Sequence, residues 1–459
     1  MKKILYLMTV MAVIAAMVFV GVGCAAETTE TTAAETTAGE TTAGETTAAE
    51  TTAAAEPVAL KMIHYAGGGQ DFWNNLNASF MEEFPNITIE QEVVDPGTYH
   101  QKLGGYVSAG DGPDIALMEA GLSTIKYKDV LIDLNGKFDD IIGSVVGLDV
   151  YYNDFDTSKE LLAMPSASNG HMIYYNKIVF EEAGLDPENP PKTWSEMDAA
   201  IQKIKAAGKE GIALGGKEYG NFWLWSAMMN LTMSHEQHLG IFQGTTKWNE
   251  KPLSDVVYIF EDMYKKGWFI KDAALTSVTP EAQDMFINGD AAFFVSLLGD
   301  AFNWKVWGEA MGYENFGVMK LPTVAADDPI AGIVPGPLNG TIPVWGSYAW
   351  GITKWSKNPD AAVTYLKYLL RKDVQERFVL EGGFFPNSLS DFDISKVEAP
   401  QFATLVEYAI ESEAVPGLFY SSPEEWDAYI RNAQLLLSDQ QDAKAFVDDM
   451  QSVWEASHK

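Results

Sequence analysis

The chain has 459 residues, a formal net charge of −33 and a single cysteine. So acidic a body repels nucleic acid, and one thiol excludes an internal disulfide and any cysteine-rich metal site. The length exceeds what one hydrophobic core holds, so two or three domains are expected.

In chain order, a leader comes first. Lys2 and Lys3 precede the apolar run "ILYLMTVMAVIAAMVFV", the pattern of a secretory signal peptide over residues 1–23. A retained spanning helix would also fit, since a bilayer core needs ~20 apolar residues. In either case the remainder lies outside the cytoplasm. Val22, Gly23 and Cys24 resemble a bacterial lipobox, with Gly21 where that motif usually carries leucine. The resemblance implies that Cys24 is acylated and anchors the chain to a membrane. Residues 24–56 then repeat Glu-Thr-Thr-Ala without an aromatic or large aliphatic side chain, so they cannot offset their ordering entropy. They read as a disordered tether, on the order of 30 Å long as a flexible coil.

From Pro57 onward the composition is mixed apolar, aromatic and charged. "VALKMIHY" (58–65) suits a buried strand and is followed by the Gly-rich turn "AGGGQD". In "DFWNNLNASFMEEF" Phe72, Leu76 and Phe80 recur at spacing four, which predicts a helix capped by Asp71 and stopped by Pro85. "NITIEQEVV" alternates as a half-buried strand, and strand, helix, strand indicates an α/β domain. Further on, Thr193 with Glu196 is a capping box, and Asn358 before Pro359 is a second helix start.

Four stretches carry a family likeness. "EEFPNITIEQEVVDPGTYHQKLGGYVSAGDGPDIALME", "YYNKIVFEEAGLDPENPPKTWSEMDAAIQKIKAAG", "FINGDAAFFV" and "SKNPDAAVTYLKYLLRKDVQERFVLEGGFFPN" together resemble family 1 extracellular solute-binding proteins, the mostly sugar-binding components of ABC importers. The resemblance implies an α/β fold of the two-lobe periplasmic-binding-protein type (type II), with ligand in a cleft that closes by a hinge. It places the crossings near Met172–Tyr175, near Val318–Pro322 and around Asn387, giving an N-lobe of 57–172 plus 322–388 and a C-lobe of 173–321 plus 389–459. It implies no cofactor and no catalysis, a monomer, and the transmembrane subunits of a permease as partners.

A sugar needs carboxylates and amides for its hydroxyls and aromatic faces for its ring. The 13 Trp, 19 Tyr and 23 Phe far exceed what one cleft can use, so most belong to the core. Gln70 and Asp71 follow the first strand, and Glu119 ends the strand "DIALM". Such positions face the cleft in open α/β sheets. Asn169 precedes the first crossing. In "YGNFWLWSAMMN", Asn221, Trp223 and Trp225 offer an amide and two stacking faces, one of the two tryptophans being core. Trp345 and Tyr348 in "TIPVWGSYAW" would close the N-lobe side, and Phe419 and Trp426 lie where relatives bring an aromatic platform. Relatives commonly carry a Gly-Ser-Trp-like run after "NGDAAFFV"; here "SLLGD" stands instead, leaving Asp300 and Trp304 near the expected ring.

Two other function classes compete. The same fold could hold a cationic solute, a polyamine or quaternary amine, among acids and aromatic rings. An extracellular glycan-acting enzyme would need a pair of carboxylates about 5 to 10 Å apart. No nucleophile elbow, zinc helix or phosphate loop is present. "HEQH" at His235 and His238 has metal-like spacing without further ligands, and reads as a solvated surface helix with no metal.

Overall fold

The computed structural model describes residues 56–457 except positions 68, 299–300, 326, 329, 331, 388–392, 398 and 417–421. The leader, Cys24 and the tether lie outside the described residues.

β1 (Val58–His64), α1 (Gln70–Glu83) and β2 (Ile87–Val93) form a strand, helix, strand unit, with β1 and β2 parallel in register from Val58↔Ile87 to His64↔Val93. The helix starts two residues earlier than a cap at Asp71 predicts. Its N-cap is Gly69, at φ 92, and no side chain caps it, so Asp71 instead places its charge in the first turn. There it favours the positive end of the helix dipole without making a cap bond. Next come α2 (Tyr99–Ala109), β3 (Ile115–Met118) and the long β4 (Met164–Asn176).

Beyond β4 lie α3 (Trp194–Ala206), β5 (Glu210–Ala213), α4 (Gly220–Thr232), α5 (His235–Phe242) and α6 (Leu253–Lys265). They are followed by β6 (Ala291–Leu297), β7 (Phe316–Met319), β8 (Val344–Ile352), α7 (Pro359–Leu369), α8 (Lys372–Leu380), β9 (Phe385–Pro386), α9 (Gln401–Glu411), α10 (Pro423–Leu437) and α11 (Ala443–Ser457). The Thr193 and Glu196 side chains make both bonds of the capping box on α3. Asn358 is the N-cap of α7 with Pro359 in its first turn, though its side chain makes no cap bond.

The strands run in the order β2-β1-β3-β8-β4-β6-β5, with β7 and β9 also paired to β4. β4 connects two bodies because its partners change along its length. Its first half, from Met164 to Gly170, pairs with β8, and its second half, from His171, pairs with β6 and then β7. Two separate hydrophobic cores follow the same division. One gathers Leu60, Trp73, Phe80, Leu117, Ala167, Trp350 and Phe378, and the other gathers Met172, Trp225, Phe260, Phe293, Trp307 and Phe446.

The chain rejoins the first core at a point beyond the Val318–Pro322 crossing that the resemblance implies. Val324, Ile330, Ile333, Ile342 and Val344 all belong to the second core, and Trp345 is the first residue back in the other. This loop is held by backbone bonds, Gly336 N–H to Leu231 O and Trp194 N–H to Thr323 O, and by the Asn339 amide on Val324. The last passage falls between Phe384 of the first core and Phe385 of the second. Beside it the fully buried Asn387 side chain receives the Val146 N–H at 3.0 Å and donates to Ala167 O at 3.1 Å.

Candidate functional site

Two groups of side chains flank the crossing strands, and β8 supplies one ring to each. Trp345 and Tyr348 stand three residues apart, about 10 Å along a strand.

At the end of the crossing, Trp345 of the first core sits opposite Asn169 in the β4–β8 ladder, so the two side chains share a face. His171, two residues further along β4, joins them there, with its ring centroid 4.8 Å from that of Trp345. α4 then lays Phe222 and Trp223 against the same imidazole, at 5.2 and 6.1 Å, and Trp426 of α10 meets Phe222 at 5.7 Å. Trp223 and Trp426 are half-buried, as a wall meant to receive a ring must be.

Helix geometry separates the remaining α4 candidates. Residues 219, 222, 223 and 226 share the face turned to β4, whereas Asn221 and Trp225, at spacing four, share another. Trp225 is fully buried and stacks on Phe446 at 5.8 Å and 4°, so it is the core tryptophan of the pair. Asn221, also fully buried, shares the Trp225 face of α4 rather than the face turned to β4.

On the side of the first core, Tyr348 adopts φ 47 inside β8. The register there runs Ala167↔Ser347 and then Pro165↔Ala349, skipping Tyr348, while the Ser166 hydroxyl donates to Tyr348 O at 2.8 Å. Left-handed backbone at a bulky residue is strained, and such a break in the ladder re-aims its side chain. The ring points to the turn after β1, where the Gly67 N–H donates to its hydroxyl. A Cβ at Gly67 would lie 1.4 Å from the Tyr348 hydroxyl oxygen, so any larger residue there would force the Tyr348 ring to move.

Tyr65 lies 5.8 Å from Tyr348 and donates its hydroxyl to Glu119 at 3.4 Å. Glu119 follows β3 directly and takes His100 Nε2 at 3.1 Å, while Tyr127 Oη is 3.2 Å from His100 Nδ1. Burial works to raise the Glu119 pKa, yet bonds from His100, Ser123 and Tyr65 and the His100 charge together hold it below the usual carboxylate value. The group is therefore an ionised acceptor. Burial, with Glu119 nearby, pushes the Tyr65 hydroxyl far up, keeping it neutral. Gln70 and Asp71 stand exposed on the first turn of α1, beyond this cluster. Asp300, Phe419 and the Trp304 side chain lie outside the described residues.

Sequence reasoning missed His171, Phe222, Tyr65, His100 and Tyr127. A polar histidine inside the apolar run "NGHMIYYN" was the available signal for the first of these. "HEQH" corrects the other way. His238 is 1% exposed, and burial lowers its pKa to about 3, so α5 is not a solvated surface. Among the described residues no group of three or more His, Cys, Asp or Glu could hold a metal ion, and no helix is long and apolar enough to cross a membrane.

A sequence profile of bacterial extracellular solute-binding proteins matches residues 75–404. The sn-glycerol-3-phosphate-binding periplasmic protein UgpB of Yersinia pestis bv. Antiqua (strain Antiqua) is 28% identical over 356 residues, covering 71% of this chain and 75% of that one. UgpB of Escherichia coli K12 is 26% identical over the same shares. Among solved structures, a chitin oligosaccharide binding protein superposes with a TM-score of 0.72 at 20% identity, covering 87% of this chain and 98% of that one. The raffinose complex of the binding protein RafE superposes with a TM-score of 0.65 at 18% identity, covering 87% and 99%.

Proposed function

Since the chain belongs to the bacterial extracellular solute-binding proteins, whose solved likenesses share its two-lobe α/β fold, we propose that it captures a neutral sugar or oligosaccharide between its lobes and hands it, chemically unchanged, to the permease of an ABC importer. The observation that carries this reading is the aromatic wall of half-buried Trp223 and Trp426 with the buried Trp345 on one side of β8, and the ionised Glu119 on the other. Rings stack on the wall, and the carboxylate accepts bonds from hydroxyls. Anchoring through an acylated Cys24 and action as a monomer belong to the same proposal.

The curated relatives are named for a phosphorylated glycerol, and the arginines argue against that cargo here. The chain has three, and each is engaged elsewhere: Arg371 with Glu83 and Asp373, Arg377 with Glu381, Arg431 with Asp449. A phosphate next to Glu119 would meet like charge with no guanidinium fork to hold it.

A thermal-shift panel of maltose, raffinose, chitin oligosaccharides and sn-glycerol 3-phosphate tests the proposal. A ligand that selects the folded state at 100 times its Kd stabilises it by about 2.7 kcal/mol, several degrees for so large a chain. At least one neutral sugar should raise the Tm. A rise with the phosphate alone would remove the sugar reading.

A further inference from the structure

His171 stands at the point where β4 passes from one core to the other, 1% exposed and bounded by Phe222, Trp223 and Trp345. Its Nδ1 is hydrogen-bonded to the Ser226 hydroxyl, and its Nε2 has no partner. Ser226 in turn lies 3.2 Å from the Trp223 carbonyl, which can only accept. A serine has one proton. If it goes to the Trp223 carbonyl, the imidazole must donate from Nδ1, and both contacts are hydrogen bonds. If it goes to Nδ1, the contact with Trp223 is left without a proton and a buried Nε2–H is orphaned as well. Only the first arrangement satisfies every group that has a partner.

Burial lowers the His171 pKa to about 3, so the ring is neutral wherever the protein works. The unused lone pair on Nε2 is thus a fixed acceptor set among the rings of the proposed sugar wall, on the face of β4 that carries Asn169. We propose that His171 Nε2 is a specificity-determining acceptor that takes one hydroxyl proton of the bound sugar, held in that tautomer by Ser226 and Trp223. Glu119 can accept from any donor within reach, and its charge also attracts cations. A neutral, buried acceptor instead penalises a ligand lacking a hydroxyl at one position, because the orphan then stays orphaned.

This inference rests on the sugar-binding reading, and the experiment keeps the two apart. Full-length protein labelled with 15N-histidine is observed by two-bond 1H–15N correlation between about pH 5 and 8, first alone and then with maltose, raffinose and chitin oligosaccharides. Alone, His171 should show a protonated Nδ1, a bare Nε2 and no titration. With whichever of these sugars raises the Tm, its Nε2 resonance should move as an acceptor gaining a hydrogen bond. A protonated Nε2, or a sugar that raises the Tm without moving that resonance, overturns the proposal while leaving sugar binding intact. If none of the sugars raises the Tm, both readings fall together.

Substitution of so buried a residue risks the fold, so the wild-type spectrum carries the test and calorimetry on variants extends it. His171→Leu, where it folds, should lose about 10-fold or more in affinity for the binding sugar, with His171→Gln, which keeps an acceptor, closer to wild type. Equal affinities for wild type and His171→Leu would contradict the assignment.

Discussion

Two tryptophans two residues apart on α4 have opposite duties, and the difference can be measured. Trp225 is enclosed by Trp248, Tyr429 and Phe446, so Trp225→Ala should cost about 3–5 kcal/mol of stability through the cavity it leaves. Trp223 is half-buried and touches Tyr219 and His171. Trp223→Ala should cost stability far less, yet weaken sugar binding by about 10-fold or more, since a stacked ring contributes on the order of 1 kcal/mol beyond its buried area. Denaturant melts and calorimetry on the two variants check this; similar stability losses in both would place Trp223 in the core as well. The sequence showed that one of the pair was core without showing which, because the choice depends on which helical face meets β4.

At the scale of elements, α5 is the clearest strut between the two bodies. Its His235 places Nε2 2.9 Å from Asp149 Oδ2, on the short stretch that leads into the first core at Val150 and Tyr151, and Nδ1 2.7 Å from Ala414 O. Both ring nitrogens thus face oxygens, an arrangement that favours the imidazolium. Its pKa is raised by the bond to Asp149, opposed by burial and helped by the charge of Asp149, the Ala414 carbonyl and Glu413. His238, one turn on, is buried and neutral. At the other end of α5 Phe242 meets Phe155 at 5.0 Å, and Asp154 and Phe155 hold consecutive left-handed conformations, φ 52 and 56, to present that ring. A histidine whose folded pKa is raised adds stability that is complete below its unfolded pKa, ~6.5, and is lost as pH rises through the folded value. The Tm of wild type should therefore fall more steeply from about pH 6 to 9 than that of His235→Gln, and parallel curves would show that the pair contributes nothing. None of this was legible in "HEQH", whose spacing raised only a metal and a bare surface. The Thr193 capping box was legible, since both its bonds close within four residues.

For the whole molecule, β4, β8 and the passage at Phe384–Phe385 carry the chain between the two cores, and closure by rotation about them is the motion the proposal needs. A sugar drives it by binding the closed arrangement better than the open one. The α/β class and the strand, helix, strand start were readable from periodicity. The return to the first core was not: the loop "VAADDPIAGIVPGPLNGTIP" has no period, and it is held to the second core by backbone bonds that no side-chain pattern announces. Nor could spacing alone bring Tyr65, His100 and Glu119 together, since they come from three different elements. The central claim is that a neutral ring is held here by stacking and hydroxyl bonds. Calorimetric titration of the protein with the panel sugars at low and high salt tests it most directly. The account predicts a Kd for at least one sugar that hardly changes with salt, and recovery of that sugar uncleaved. Heat only from sn-glycerol 3-phosphate or a polyamine, weakening as salt rises, or a sugar returned cleaved, would contradict it.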